Sequence, residues 1–419
     1  MPTRPLLKSI CCWMVLATAA PLAMAHSMKI EVSSGQYDRT DVPVTVVIEV
    51  PDDHADATVV KLTPKEGKAL VGQLTKPGLM NETDNSKARE LHFVLPSLYA
   101  DTTATFDVSF SKDSTEGDQY KWVDEEGKHM DLKFGDRQVA RYMYEALDTS
   151  SKERQSETFK IYHHLYDPTG EHQLTKGAGG LFPHHRGVFY GFNRISYTRD
   201  DKKQNADVWH CNKGESQQHA EFVRLEAGPV VARQLLKVNW NGQDGKPFAT
   251  ELREITIFNT PDDVTLEFAS KLTADVENMK LDGDPQHAGF QFRATQHVPD
   301  KTKDKTYYVR PDGKGKPGSF RNWPGNEDHI NLPWYALSFV AYDQQYTVCY
   351  LDRDDNPKPA RFSERDYGRF GSYFEKEIPK GESLKVNYRL CLHAGALDVE
   401  EVEHHSLDFV SPPTTKVVK

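Results

Sequence analysis

Histidine and arginine crowd one short stretch of this 419-residue chain, Phe182-Pro183-His184-His185-Arg186-Gly187, which continues into Val188-Phe189-Tyr190-Gly191-Phe192-Asn193. On a regular strand the two imidazoles would point to opposite faces. Pro183 before them and Gly187 after them predict a loop at a strand entrance, where both rings can turn to one side. A His pair beside an Arg offers a base that titrates near neutrality and a fixed anchor for an anion. The same residues also fit one structural His bonded to a carbonyl and one exposed His. Downstream, Asp207-Val208-Trp209-His210-Cys211, read as extended chain, sets Asp207 and Trp209 on one face and His210 on the other. Trp209 has the apolar ring face on which sugar rings stack, and equally the bulk of an ordinary core side chain.

Alternation carries a second signal. In the segment 287–297 the odd positions are His287, Gly289, Gln291, Arg293, Thr295 and His297, while Ala288, Phe290, Phe292 and Ala294 fill the even ones. One face packs; the other is a row of hydrogen-bonding groups without Lys, Asp or Glu, which fits the floor of a polar cleft or a buried network between sheets. The stretch 361–375 holds Arg361, Glu364, Arg365, Asp366, Tyr367, Arg369 and Glu375. Such a set can supply a general acid, a base and charge stabilisation for glycosidic cleavage or proton abstraction, or form an ion-pair network. No metal ligand set is assigned. His163-His164, His184-His185 and His404-His405 are adjacent pairs that diverge on a strand, and His26 could chelate copper only as a mature N-terminus. GxSxG, HExxH, P-loop and dinucleotide-binding patterns are absent from the sequence.

The elements that must position these groups read as strands. Period-two patterns run through 42–50, 58–62, 91–95 and 104–110, then through longer segments such as 188–197, 221–240, 250–259, 264–273, 334–342 and 384–393, with no sustained helical period. The expected fold is all-β: a small Ig-like β-sandwich at 26–120, a linker at 121–138, a large antiparallel β-sandwich of the supersandwich type at 139–410, and a tail at 411–419. Aromatic residues make up 11% of the chain, enough apolar area to exclude disorder. With 52 Lys and Arg against 62 Asp and Glu, the net charge of -10 argues against a nucleic-acid partner. Arg4 and Lys8, the apolar run 10–20 and Ala23-Met24-Ala25 read as a cleaved export signal over 1–25, and no other segment has the length of a membrane-spanning helix. Cys11 and Cys12 leave with the signal, so Cys211, Cys349 and Cys391 remain, read as buried small hydrophobes.

With Tyr162-His163-His164-Leu165-Tyr166-Asp167-Pro168-Thr169-Gly170, the His-His-Arg-Gly element and the Asp207 to His210 step, the order of motifs resembles the PmoA-like family of exported bacterial proteins. The resemblance covers about 139–393; this chain has His164 where Pro is common. It implies a β-sandwich protein from bacteria rich in carbohydrate-degrading genes. The family's name points to a methane oxygenase subunit, a transmembrane assembly, whereas this chain lacks an apolar run of that length.

The leading expectation is an exported carbohydrate hydrolase or lyase needing no cofactor. His185 serves as general acid or base, with His210 and Tyr367 as further proton-transfer candidates. Arg186 and Arg293 hold negative charge, and His184, Asn193, Trp209, His287 and Gln291 bind the sugar. The alternatives are a noncatalytic glycan-binding protein and a metal-dependent oxidase.

Overall fold

The computed structural model describes residues 28–112 and 117–418, so the segment 1–25 expected to be an export signal, and His26, lie outside the described residues. The protein is all-β, as expected, with antiparallel pairing throughout its sheets. Seven strands form the first sheet in the spatial order Arg39–Glu49, Ala88–Leu98, Leu70–Thr75, Val59–Pro64, Thr103–Ser111, Lys29–Ser33 and Thr414–Val418. Their alternating apolar residues, among them Ile30, Val44, Leu62, Leu91, Phe93 and Phe106, close on one core.

Two larger sheets follow and face each other. An eight-stranded sheet runs from Arg361–Arg365 through Arg369–Tyr373, Ala288–Arg293, Val188–Phe192 and Tyr162–Leu165 to Arg137–Met143, His129–Phe134 and Tyr120–Glu125. A nine-stranded sheet has the long strands Val231–Asn241, Pro247–Phe258, Asp263–Ala274 and Ser383–Ala394 near its middle. Phe290 of the first stacks on Phe268 and Tyr388 of the second, with ring centroids 4.5 and 4.9 Å apart. Burying such rings on both inner faces is what fixes the register, since a one-residue slip would turn each strand inside out.

Three expectations need correction. Residues 121–138 are no linker: strands Tyr120–Glu125 and His129–Phe134 form a hairpin at the edge of the eight-stranded sheet. Its outer face is charged and its turn carries Gly127, which masks the buried Tyr120, Met130 and Leu132 on the inner face. The tail at 411–419 holds strand Thr414–Val418, which returns to pair with Lys29–Ser33. Lastly, a helix spans Val399–Val410, started by an Asp398 capping box with Glu401. It buries only Val402, Ser406 and Phe409, too narrow a stripe to stand out in sequence. Cys211, Cys349 and Cys391 are buried free thiols.

Candidate functional site

Three turns that flank the strands Val188–Phe192 and Ala288–Arg293 of the eight-stranded sheet build the site. The first is Phe182-Pro183-His184-His185, closed by the His185 amide donating to the Phe182 carbonyl at 3.0 Å. Gly187 makes its re-entry possible: its φ is +41°, and a Cβ there would sit 2.1 Å from the His163 carbonyl oxygen. Both imidazoles therefore turn to the same side, with ring centroids 4.4 Å apart.

The second turn corrects the extended reading of 207–211. Asp207 Oδ1 accepts from the amides of Trp209 and His210 at 3.0 and 2.8 Å, and the Cys211 amide donates to the Asp207 carbonyl. An aspartate that bonds its own downstream backbone winds the chain into a turn. Asp207 and His210 thus share a side, and His210 Nδ1 donates to Asp207 Oδ2 at 2.8 Å. The third turn repeats this device one strand over. The His287 amide donates to the Asp284 carbonyl, the Gln286 amide to Asp284 Oδ1, and His287 Nδ1 to Asp284 Oδ1 at 2.9 Å. A carboxylate cannot donate, so each imidazole carries its proton on Nδ1 and leaves Nε2 as the lone-pair nitrogen.

The turns converge on a cluster of imidazoles. His184 lies 4.5 Å from His210 and 5.2 Å from His287; His210 and His287 are 4.6 Å apart, and His185 stacks on His287 at 5.2 Å, all between ring centroids. His185 is buried, whereas His184, His210 and His287 are half-buried and face the opening. Burial, then the charges of His210 and Lys160, push His184 down to about 2, and burial with Arg369 pushes His185 well below the ordinary imidazole value. Burial alone would raise Asp284, but hydrogen bonds from His287, Gln286 and Asn193 hold it well below the usual carboxylate range. His184 Nε2 and His185 Nδ1 are buried without a hydrogen-bond partner among the described residues.

Several residues read as ligand-binding from the sequence serve the frame instead. Arg186 gives its guanidinium to the carbonyls of Pro183, Ser156 and Glu157, so it is not free to hold an anion. Trp209, 1% exposed, packs edge-on against Phe189 and His185 and offers no face to a sugar. Beyond His287, the middle of the odd-numbered row is a buried network and not an open floor. Gln291 donates to Ala288 and accepts from Arg369 at 3.0 Å, and Arg293 bonds the carbonyls of Ala294 and Tyr367 beneath the Tyr367 ring. Asn193 donates to Asp284 Oδ2 at 2.6 Å and so braces His287. Tyr367 stands at the cluster's edge, its ring 6.4 Å from that of His185. Elsewhere in 361–375, Glu364 pairs with Arg310 and Arg361 with Glu375, while Arg365 bonds Asn322. His163 and His164 are buried on Gln234 and Thr175, outside the cluster.

Sequence reasoning overlooked Asp207 and Asp284 as orienting groups and Lys160 as the strap between turns. The Lys160 ammonium is fully buried, donates to the carbonyls of His184 and Trp209, and lies 4.0 Å over the Phe189 ring. The signal for the carboxylates was present as two Asp-x-x-His spacings, at 207–210 and 284–287.

Beside the cluster, on the far side of Asp207, opens a cavity of about 510 Å³. Its walls carry Asn193, Ser196, Asn205, Asn212, Gln243 and Glu215. A second cavity, of about 490 Å³, lies where the first sheet meets the helix Val399–Val410 and is lined by Asp38, Asp41, Asp262, Asp263, His404 and His405. There His393 bonds Asp263 at 2.7 Å. No helix among the described residues is long and apolar enough to cross a membrane.

No curated protein matches the sequence. Among solved structures, a protein in the glycosyl hydrolase family 38 from Enterococcus faecalis aligns over 94% of this chain and 47% of its own, at 10% identity and a TM-score of 0.46. This chain thus spans about half the length of that relative. An aldose epimerase homologue from C. elegans aligns over 67% of this chain and all of its own, at 9% identity and a TM-score of 0.30. The family model that matches covers residues 129–406, from the second strand of the edge hairpin into the Val399–Val410 helix, and with it all three turns of the cluster. This chain belongs to that family, DUF6807, a family of unknown function.

Proposed function

We propose that this protein is an exported enzyme that acts on carbohydrate by proton transfer at the imidazole cluster, as a hydrolase or a lyase. The observation that carries the reading is the His210–Asp207 pair. Asp207 is fixed by two backbone amides, holds His210 Nδ1 at 2.8 Å, and also walls the 510 Å³ cavity. A carboxylate that fixes the tautomer of a half-buried imidazole leaves Nε2 ready to take a proton and stabilises the imidazolium that results. Amide, hydroxyl and carboxylate side chains around the neighbouring cavity match the alternating donors and acceptors of sugar hydroxyls.

In this reading His210 is the base or acid. Asn193, Asn205 and Asn212 meet hydroxyls, and Asp284 with Asn193 keeps His287 aligned. Arg186, Arg293, Gln291 and Trp209 hold the turns in place rather than touching the ligand. The test is turnover of a glycan panel by the wild type and His210→Gln. The expected loss is about 100-fold to 10,000-fold in kcat with KM little changed; equal turnover by the two proteins would reject the assignment.

A further inference from the structure

We infer that His184, His185 and His287 form a binding site for one divalent first-row metal ion of the zinc type. One nitrogen from each ring can be chosen so that all three lie within 4.8 Å of one another. Two donors on a single such ion are separated by at most about 4.2 Å, so small ring rotations complete the set. Two further observations point to a ligand. His184 Nε2 and His185 Nδ1 are buried and have no partner among the described residues, a costly state for nitrogens that nothing else in the fold satisfies. The third imidazole is already oriented as metal-bound histidines are: Asp284 holds His287 Nδ1 and is itself held by the Gln286 amide and by Asn193 at 2.6 Å.

The donor set selects the class of ion. Three neutral imidazoles without a carboxylate or thiolate in the group suit zinc, copper or nickel and are poor hosts for magnesium or calcium. Asp207 and Asp284 stand behind their histidines, where they offset the charge of the ion without binding it. Three protein ligands leave a position open on the side where His184, His210 and His287 reach solvent, and His210, outside the trio, stays available for the proton. The site deepens the proposed function and rests on the same cluster: it names the ion that would polarise a sugar oxygen or water beside His210.

The experiment is calorimetric titration of chelator-stripped full-length mature protein with zinc chloride, with bound metal counted by elemental analysis. Wild type is expected to take up one equivalent with a dissociation constant below micromolar. His287→Ala should weaken uptake by at least about 100-fold and Asp284→Asn by about 10-fold to 100-fold, with circular dichroism reporting that both remain folded. His393→Ala, in the distant acid-lined cavity, should bind as the wild type does. No uptake by folded wild type, or uptake unaltered in both His287→Ala and Asp284→Asn, would overturn the site. Uptake without glycan turnover would keep the metal site and reject the carbohydrate reading; turnover by metal-free protein that takes up no zinc would do the reverse.

Discussion

Replacing Asp207 with Asn separates what this carboxylate does for the fold from what it does for His210. Asp207 makes three bonds: Oδ1 accepts from the Trp209 and His210 amides at 3.0 and 2.8 Å, and Oδ2 accepts from His210 Nδ1 at 2.8 Å. Asn keeps an oxygen for the two amides but presents an NH₂ to the ring. His210 can bond that group only by exposing a bare Nδ1 and moving its proton to Nε2. The stability cost is the loss of charge assistance on three hydrogen bonds that otherwise persist, about 1–2 kcal/mol in all. Asp207→Ala forfeits all three bonds and should cost about 3 kcal/mol or more. Long-range ¹H–¹⁵N correlation at the imidazole, about two pH units above the ordinary His pKa of ~6.5, distinguishes the tautomers without any substrate. The wild type should carry the proton on Nδ1 and Asp207→Asn on Nε2, with the melting temperature of the Asn variant far nearer the wild type's than the Ala variant's. A wild-type His210 protonated on Nε2, or a tautomer unmoved by Asn, would refute the orienting role.

Three further outcomes follow from the same geometry. Burial, aided by Arg233, Arg253 and Arg141 respectively, pushes His92, His163 and His164 each down to about 3. Between the ordinary value and about 3 the unfolded chain binds protons that the folded one refuses, so stability is full above ~6.5 and falls with pH. The fall is about 1.4 kcal/mol per pH unit for each group, and denaturant midpoints that stay level from neutral to mildly acid pH would contradict it. Gly187→Ala places a Cβ against the His163 carbonyl at a positive φ and should cost about 2–4 kcal/mol in chemical denaturation; a cost within 0.5 kcal/mol, the typical surface range, would mean the turn is not constrained as described. Lys160→Met strips the donors from two carbonyls that join the His184 and Trp209 turns, for a loss of about 2–4 kcal/mol. Amide hydrogen exchange should rise at both turns together, and a rise at neither would remove Lys160 as their strap.

How far the sequence was legible depends on whether a feature announces itself locally. Pro183 and Gly187 mark the His184-His185 turn because proline fixes its own φ and glycine admits a φ closed to other residues, and the convergence of the two rings followed. The Asp207 turn was misread because a strand pattern was extended across a residue whose side chain competes for the backbone. The twin Asp-x-x-His spacing held that information and also tied His287 to the cluster. Alternation in 287–297 correctly separated the faces but could not say that the polar one is buried, because the strand Arg369–Tyr373 that brings Arg369 onto Gln291 lies far along the chain. The same distance hid strand Thr414–Val418, whose partner Lys29–Ser33 sits at the other end of the described chain. In the 120–134 hairpin, charge on the solvent face outweighed three buried side chains, and a strand looked like a loop.

The position of a bound glycan, seen crystallographically in Asp207→Asn to slow its turnover, tests the central assignment most directly. The sugar should lie over the opening where His184, His210 and His287 reach solvent, with a reacting oxygen or C–H about 3 Å from His210 Nε2, and extend past Asp207 into the cavity lined by Asn193, Asn205 and Asn212. A glycan seated instead in the acid-lined cavity of Asp263, His404 and His405, with the imidazole cluster untouched, would contradict it.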